Sequence, residues 1–139
     1  MPGGSISARF AKRVAALGVA DDNIALHEIF QRDAAMRFMV QMAVRLPGDW
    51  PAERLDEINK AENARGHELI KAGKLRRLFR IVGRRAKFSI WDADNLEELH
   101  ENLLSLPLHP WMDITVTSLI EHPSEIAFKE MYGDIPPLD

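Results

Sequence analysis

The sequence predicts a single α+β domain whose strands and helices follow in the order β-α-β-β-α-β. Two observations support this fold class. Apolar residues alternate with a period of two in several short stretches from residue 37 onward, and stretches with helical spacing separate them. The chain of 139 residues is long enough for one domain with its own hydrophobic core.

The composition excludes several classes of protein. The chain has no cysteine, which excludes disulfides, thiol nucleophiles and thiolate metal sites and favours a reducing cytoplasm. No apolar run approaches the roughly 18 residues that a membrane span needs. No group of histidines and carboxylates has the spacing of metal ligands. We therefore expect a cytoplasmic protein without a metal, a cofactor or a membrane partner.

Residues 1–35 look unlike the rest and form an N-terminal extension. Phe10, Val14 and Leu17 have helical spacing, which favours a helical arm that packs on the domain or on a neighbouring subunit. The first twenty residues carry basic side chains and no acidic one, which is also typical of an organellar transit peptide. A third interpretation is an over-long start, with Met36 as the functional beginning.

The first strand begins at Arg37 and shows the sharpest alternation in the chain. Phe38, Val40 and Met42 fall on one face, and the intervening residues fall on the other. A proline, a glycine and an aspartate at positions 47 to 49 end the strand. We therefore expect a half-buried strand with its apolar face on the core.

The next helix, residues 51 to 72, has a carboxylate in the middle of its apolar face. The residues that share this face lie three or four positions apart: Leu55, Ile58, Glu62, Arg65 and Leu69. Burial without a partner penalises a charged carboxylate, so Glu62 either has a function or lies at the edge of the apolar stripe. In the second case it pairs with Arg65 or Lys60 in solvent.

Two further strands form a predicted hairpin. They are Leu75 to Val82 and Ala86 to Asp92, joined by a tight turn at Gly83 to Arg85. Alternation along the first of them places Arg76 and Arg80 on the same face among aliphatic neighbours. One face of the sheet is therefore expected to hold two fixed positive charges.

The segment from Lys71 to Lys87 is strongly basic. It contains eight basic residues and no acidic one: Lys71, Lys74, Arg76, Arg77, Arg80, Arg84, Arg85 and Lys87. Such a cluster favours an anionic partner, although for Arg84 and Arg85 a solvated hairpin rim is the preferred interpretation. An RNA-binding module is excluded, because the third strand lacks the aromatic and glycine pattern of such domains.

The second half of the domain repeats the helix-then-strand order. Asn95 is expected to cap a helix, with Glu98 completing a pattern similar to a capping box. A proline-braced turn at Leu106 to Asp113 leads into a fourth strand, Ile114 to Ile120. The tail from His122 is expected to be an extended arm. The complete order is that of ferredoxin-like folds.

Four segments of the chain resemble the muconolactone Δ-isomerase family. They are FMVQMAVRLP, LRRLFRIVG, FSIWD and ELHENLLSLPLHPWMDITVTSLIEHPS, and they follow in the family's order and spacing over about residues 36–126. Residues 127–139 then form a C-terminal tail. The resemblance implies a cofactor-free isomerase of the β-ketoadipate pathway of aromatic catabolism, which shifts the ring double bond of muconolactone to give 3-oxoadipate enol-lactone. It also implies a ferredoxin-like subunit that pairs into a dimeric α/β barrel, with dimers assembling into decamers.

The resemblance gives several residues roles. Glu62 stands at the family's glutamate and is implied to be the catalytic base, with Arg76 as a second catalytic residue. Arg80 is implied to bind the anionic lactone. Which of the two arginines binds the substrate's carboxylate and which faces the dienolate is left open by the resemblance. Four residues depart from the family's common pattern in or near the implied substrate site: Met39 in place of histidine, Asn63 in place of lysine, His109 in place of phenylalanine and Trp111 in place of tyrosine.

These departures leave alternatives open. His109 either fills space once taken by an aromatic ring, takes part in proton transfer, or lies on the surface. The substrate is muconolactone, a substituted muconolactone isomerised or dehalogenated by the same chemistry, or another lactone. A different class of function is a dimeric α/β-barrel protein that binds a small anion without converting it.

Overall fold

The computed structural model describes residues 35–138, so the predicted N-terminal helical arm lies outside the described residues. Within them the chain folds as an α+β domain with a four-stranded sheet and three α-helices. The elements in chain order are β1 (Met36–Val44), α1 (Ala52–Lys71), β2 (Leu75–Arg80), β3 (Ala86–Ala93), α2 (Leu96–Leu104), β4 (Met112–Leu119) and α3 (Pro123–Tyr132). The α+β class and the predicted order from β1 to β4 are confirmed.

The sheet has the strand order β2-β3-β1-β4, and every neighbouring pair is antiparallel. The two central strands, β1 and β3, are therefore hydrogen-bonded on both sides. In the register Phe38 lies opposite Trp91 and Val40 lies opposite Ser89, so these side chains point to the same face of the sheet.

That face carries the hydrophobic core. Phe38, Val40 and Met42 are buried, as the alternation in the sequence predicted. Leu69 of α1 and Leu99 of α2 belong to the same buried cluster, so both helices pack on this face. The sheet is thus covered by helices on the side that receives the apolar half of β1.

Two consecutive buried hydrogen bonds link the two central strands within the core. The indole Nε1–H of Trp91 donates to Oγ of Ser89 at 2.9 Å, and this hydroxyl donates to the carbonyl oxygen of Val40 at 2.8 Å. Ser89 is fully buried, and these two bonds satisfy its hydroxyl.

Two local predictions were wrong, one in β2 and one in the C-terminal tail. A register shift between Leu75 and Arg77 breaks the alternation of β2, and the guanidinium of Arg76 pairs with Asp92, with its Nη1 3.6 Å from the carboxylate. Arg76 therefore does not share a face with Arg80, because the irregularity at this point turns it towards the opposite side of the sheet.

The tail is not an extended arm from His122, because residues Pro123–Tyr132 form α3. The proline fits the first turn of a helix, where its missing N–H costs nothing. The ring Nδ1 of His122 accepts the N–H of Ser124 at 3.0 Å and caps the helix. Gly133, with φ of 91°, ends it.

Candidate active site

Glu62 is a buried carboxylate with a partner on each oxygen. Its side chain is 8% exposed. Oε1 accepts the backbone N–H of Leu108 at 2.9 Å, and Oε2 accepts from Nζ of Lys87 at 3.1 Å. The carboxylate is therefore held from two directions, by one ammonium and one backbone N–H.

The backbone donor comes from the proline-braced turn before β4. Leu106 and Leu108 are both buried, and the N–H of His109 donates to the carbonyl oxygen of Leu106 at 2.9 Å. Burial of the two leucines and this internal hydrogen bond fix the backbone between them. The N–H of Leu108 is thereby aimed at the middle of α1, where it meets Glu62.

The lysine comes from β3. Lys87 lies opposite Arg80 of β2 and, through the alternation of β3, on the same face of the sheet as Ser89 and Trp91. This is the face covered by the helices. The side chain of Lys87 is 22% exposed, so the ammonium keeps contact with the solvent that enters the site.

Two openings meet at Glu62 and Lys87. A cleft of about 480 Å³ lies between α1 and the sheet and is lined largely by apolar side chains: Met42, Ile70, Leu75, Leu78, Trp91 and Leu106. A wider groove of about 720 Å³ lies towards the hairpin between β2 and β3 and is lined by Val44, Asn59, Arg80, Arg85, Ala86 and Leu108. Asn63, Glu62 and Lys87 line both.

The groove is electropositive. Arg80 and Arg85 line it, and within residues 35–138 neither has a carboxylate within ion-pairing distance. Lys87 adds a third cation, which Glu62 neutralises. The arrangement can bind a small anion in the groove and present its apolar part to the buried carboxylate.

Comparison with known proteins decides the family. The family description "Muconolactone delta-isomerase" matches residues 36–125, which is well over half of the chain. The chain belongs to the muconolactone delta-isomerase family. The resemblance seen in the sequence is confirmed.

Individual relatives agree with the family match. The chain is 45% identical over 91 residues to the muconolactone Delta-isomerase of Cupriavidus pinatubonensis, which covers 66% of this chain and 99% of that protein. It is 42% identical over 91 residues to the one of Acinetobacter baylyi, covering 66% and 95%. A crystal structure of muconolactone isomerase matches with a TM-score of 0.61 at 39% identity, over 64% of this chain and 93% of that chain.

The structure brings together some of the residues that were singled out in the sequence. Glu62, Asn63 and Arg80 meet around the groove. Arg76 lies apart from them in its ion pair with Asp92. Met39 is half-buried on the face of the sheet opposite Glu62, because it alternates with the buried side chains of β1. The roles assigned to these residues stay predictions of the family resemblance.

His109 and Trp111 form part of a short 3₁₀ turn and line neither of the two openings. The indole of Trp111 packs edge-on against Trp50, with ring centroids 4.7 Å apart. The guanidinium of Arg54 lies over the Trp50 ring, 3.8 Å from its centroid. Trp111 thus helps to anchor the start of α1, and both residues lie next to the turn that delivers the N–H of Leu108.

Sequence reasoning missed two side chains of the site. Lys87 was noticed only as part of the basic cluster, although its alternation with Ser89 and Trp91 places it on the core side of β3. Arg85 was assigned to a solvated rim and instead lines the groove. The alternation could have indicated Lys87, whereas the position of Arg85 depends on where the strands end.

Proposed function

We propose that this chain is a cofactor-free isomerase that converts muconolactone to 3-oxoadipate enol-lactone by proton transfer. The observation that carries the proposal is the buried carboxylate of Glu62, which lies where an apolar cleft meets a positively charged groove. The names of the relatives supply the substrate and reaction. Glu62 supplies a group able to perform it.

The reaction moves one double bond and needs no change of redox state. A base removes the proton from the ring carbon bonded to the ring oxygen, and the electrons move through the ring to give a dienolate. A proton then returns to the carbon next to the carbonyl group, so the double bond shifts and the atom count stays the same. One carboxylate can serve both steps when it is positioned over one face of the ring.

The cations of the groove suit the charges of this substrate. Muconolactone carries a carboxylate on a short side chain, which a guanidinium binds as a fork. Arg80 and Arg85 both offer one at the groove side of Glu62. Bound there, the substrate would direct its ring into the cleft, towards the oxygens of Glu62.

We also propose the finer architecture. A ferredoxin-like subunit is supported by the strand order β2-β3-β1-β4 with antiparallel pairing throughout. A dimeric barrel is supported by the sheet face opposite the core, where Phe79 is 40% exposed and its ring lies 6.4 Å from that of Phe88. A second copy of the chain would cover this face, and sedimentation equilibrium would show whether dimers assemble further.

The decisive experiment is an ultraviolet assay of the purified protein with muconolactone and with methyl- and chloro-substituted lactones. We expect Glu62→Gln to lower kcat about 10²- to 10⁴-fold, since the amide can still accept from Leu108 but cannot take a proton. Glu57→Gln, an exposed position on the same helix, is the matched control and should leave kcat unchanged.

Two outcomes would contradict the proposal. Near wild-type turnover by Glu62→Gln would show that this carboxylate is not the base. Tight binding of the lactones in calorimetry, without turnover by the wild-type protein, would instead favour the anion-binding alternative. Turnover confined to a substituted lactone would keep the chemistry and change the substrate.

A further inference from the structure

The contact between Lys87 and Glu62 joins a strand of the sheet to the middle of a helix. The described residues contain a second lysine–glutamate pair with the same N–O distance of 3.1 Å, Lys74 with Glu98. In that pair both side chains are about 30% exposed, at 28% and 30%. Glu62 is 8% exposed, so its charge depends far more on its partner.

Lys87 is also the cation best placed to act on the reacting atoms. Arg80 and Arg85 line the groove but not the apolar cleft, whereas Lys87 lines both. Asn63, which also lines both, carries no charge. Within the described part of the chain, Lys87 therefore brings the positive charge that lies against the carboxylate.

We propose that Lys87 is a positioning residue of the proton-transfer site, which orients the carboxylate of Glu62 towards the ring of the substrate. This inference rests on the proposed function, in which Glu62 is the base. The family resemblance had assigned no role to Lys87.

The hydrogen bonds explain how the orientation is fixed. A carboxylate has two oxygens with about four acceptor positions. The N–H of Leu108 occupies one position on Oε1, and Lys87 occupies one on Oε2. The plane of the carboxylate is therefore fixed by donors from two separate segments, and the remaining positions are free to meet a substrate proton.

The charges also balance through both steps. When the ring proton moves to Glu62, the negative charge moves from the carboxylate to the dienolate, and the ammonium of Lys87 remains beside both groups. When Glu62 returns the proton to the carbon next to the carbonyl, the negative charge returns to the carboxylate. Lys87 keeps its own proton throughout and stabilises whichever anion is present.

The absence of cysteine from the chain permits a clean test. Lys87→Cys places one thiol in the site, and alkylation with 2-bromoethylamine restores an ammonium at nearly the length of lysine. Alkylation with iodoacetamide gives a neutral side chain of similar bulk. Lys74→Cys with the same two treatments is the matched control, and mass spectrometry measures the extent of each reaction.

We expect the neutral product at position 87 to lose about 10²-fold in kcat, because the base is misplaced. We also expect its KM for muconolactone to change little, because the guanidinium groups that line the groove are untouched. The aminoethylated product should regain the wild-type kcat. Both products at position 74 should match the wild-type protein.

The inference is overturned if the neutral product keeps the wild-type kcat, or if it cannot be distinguished from the position 74 control. Lys87→Met gives an independent measurement that does not depend on alkylation. This variant removes the ammonium, so near wild-type kcat in a folded Lys87→Met protein would also overturn the inference. Inactivity of the wild-type protein with every lactone would overturn the proposed function itself.

Discussion

Removing the ammonium beside Glu62 should destabilise the fold. Lys87→Met keeps the unbranched stem of the side chain out to the ε position and removes its ammonium. Glu62, with its side chain 8% exposed, is then left with the N–H of Leu108 as its remaining donor. The stability of the protein therefore reports directly on the pair between Lys87 and Glu62.

The loss in free energy of unfolding follows from the burial of Glu62. Leaving a fully buried charge without its partner costs about 3–5 kcal/mol. The cleft beside Glu62 is open to water, so we expect about 2–3 kcal/mol at pH 7.

Urea denaturation at pH 7, at one fixed protomer concentration, measures the free energy of unfolding. Lys74→Met, in the more exposed pair, should cost less than about 1 kcal/mol. A loss at position 87 below about 0.5 kcal/mol, or one no larger than the loss at position 74, would refute this reasoning.

Three further predictions follow from other parts of the structure. Arg80→Ala should raise KM for muconolactone more than it lowers kcat, whereas Lys71→Ala, at an exposed position in the last turn of α1 that lines neither opening, should leave steady-state kinetics unchanged. Ser89→Ala should lower the free energy of unfolding by about 1–3 kcal/mol in urea denaturation, because the buried indole N–H of Trp91 loses its acceptor. Burial opposes the charged form of Glu98, but the hydrogen bonds from the Asp94 amide and the Lys74 ammonium outweigh it and lower the pKa of Glu98 below the ordinary 4.5. The stability that this carboxylate contributes is present above that pH and should be lost as the pH falls further. Glu98→Gln should flatten this pH dependence of the free energy of unfolding.

Regular elements with a strong period were predictable from the sequence. The alternation of Phe38, Val40 and Met42 identified the core face of β1, and the structure buries all three. The spacing of α1 placed Glu62 among apolar neighbours, where it is buried. Asn95 caps α2 as predicted, since its side chain accepts the N–H of Glu98 at 2.8 Å. In these cases local pattern and tertiary packing favour the same structure.

Most of the features that the sequence analysis predicted wrongly or missed depend on contacts between distant segments. The irregularity at Arg76 arises from the pairing of β2 with β3, which the alternation of one strand cannot reveal. The N–H of Leu108 is a backbone group, so no residue type marks it as a partner of a carboxylate 46 positions away. The helix after His122 was missed because its apolar residues are largely exposed and give little periodic signal.

The position of Glu62 in the sequence explains why this small domain can hold a charge in its core. Its two partners lie 25 and 46 residues away and come from β3 and from the turn before β4. Neither contact can form until the sheet has assembled and α1 has packed on it, so folding itself brings the donors to the carboxylate. The cost of burying the charge is thus met by the same contacts that orient it, and under the proposed function a substrate entering the cleft would meet a base that needs no rearrangement.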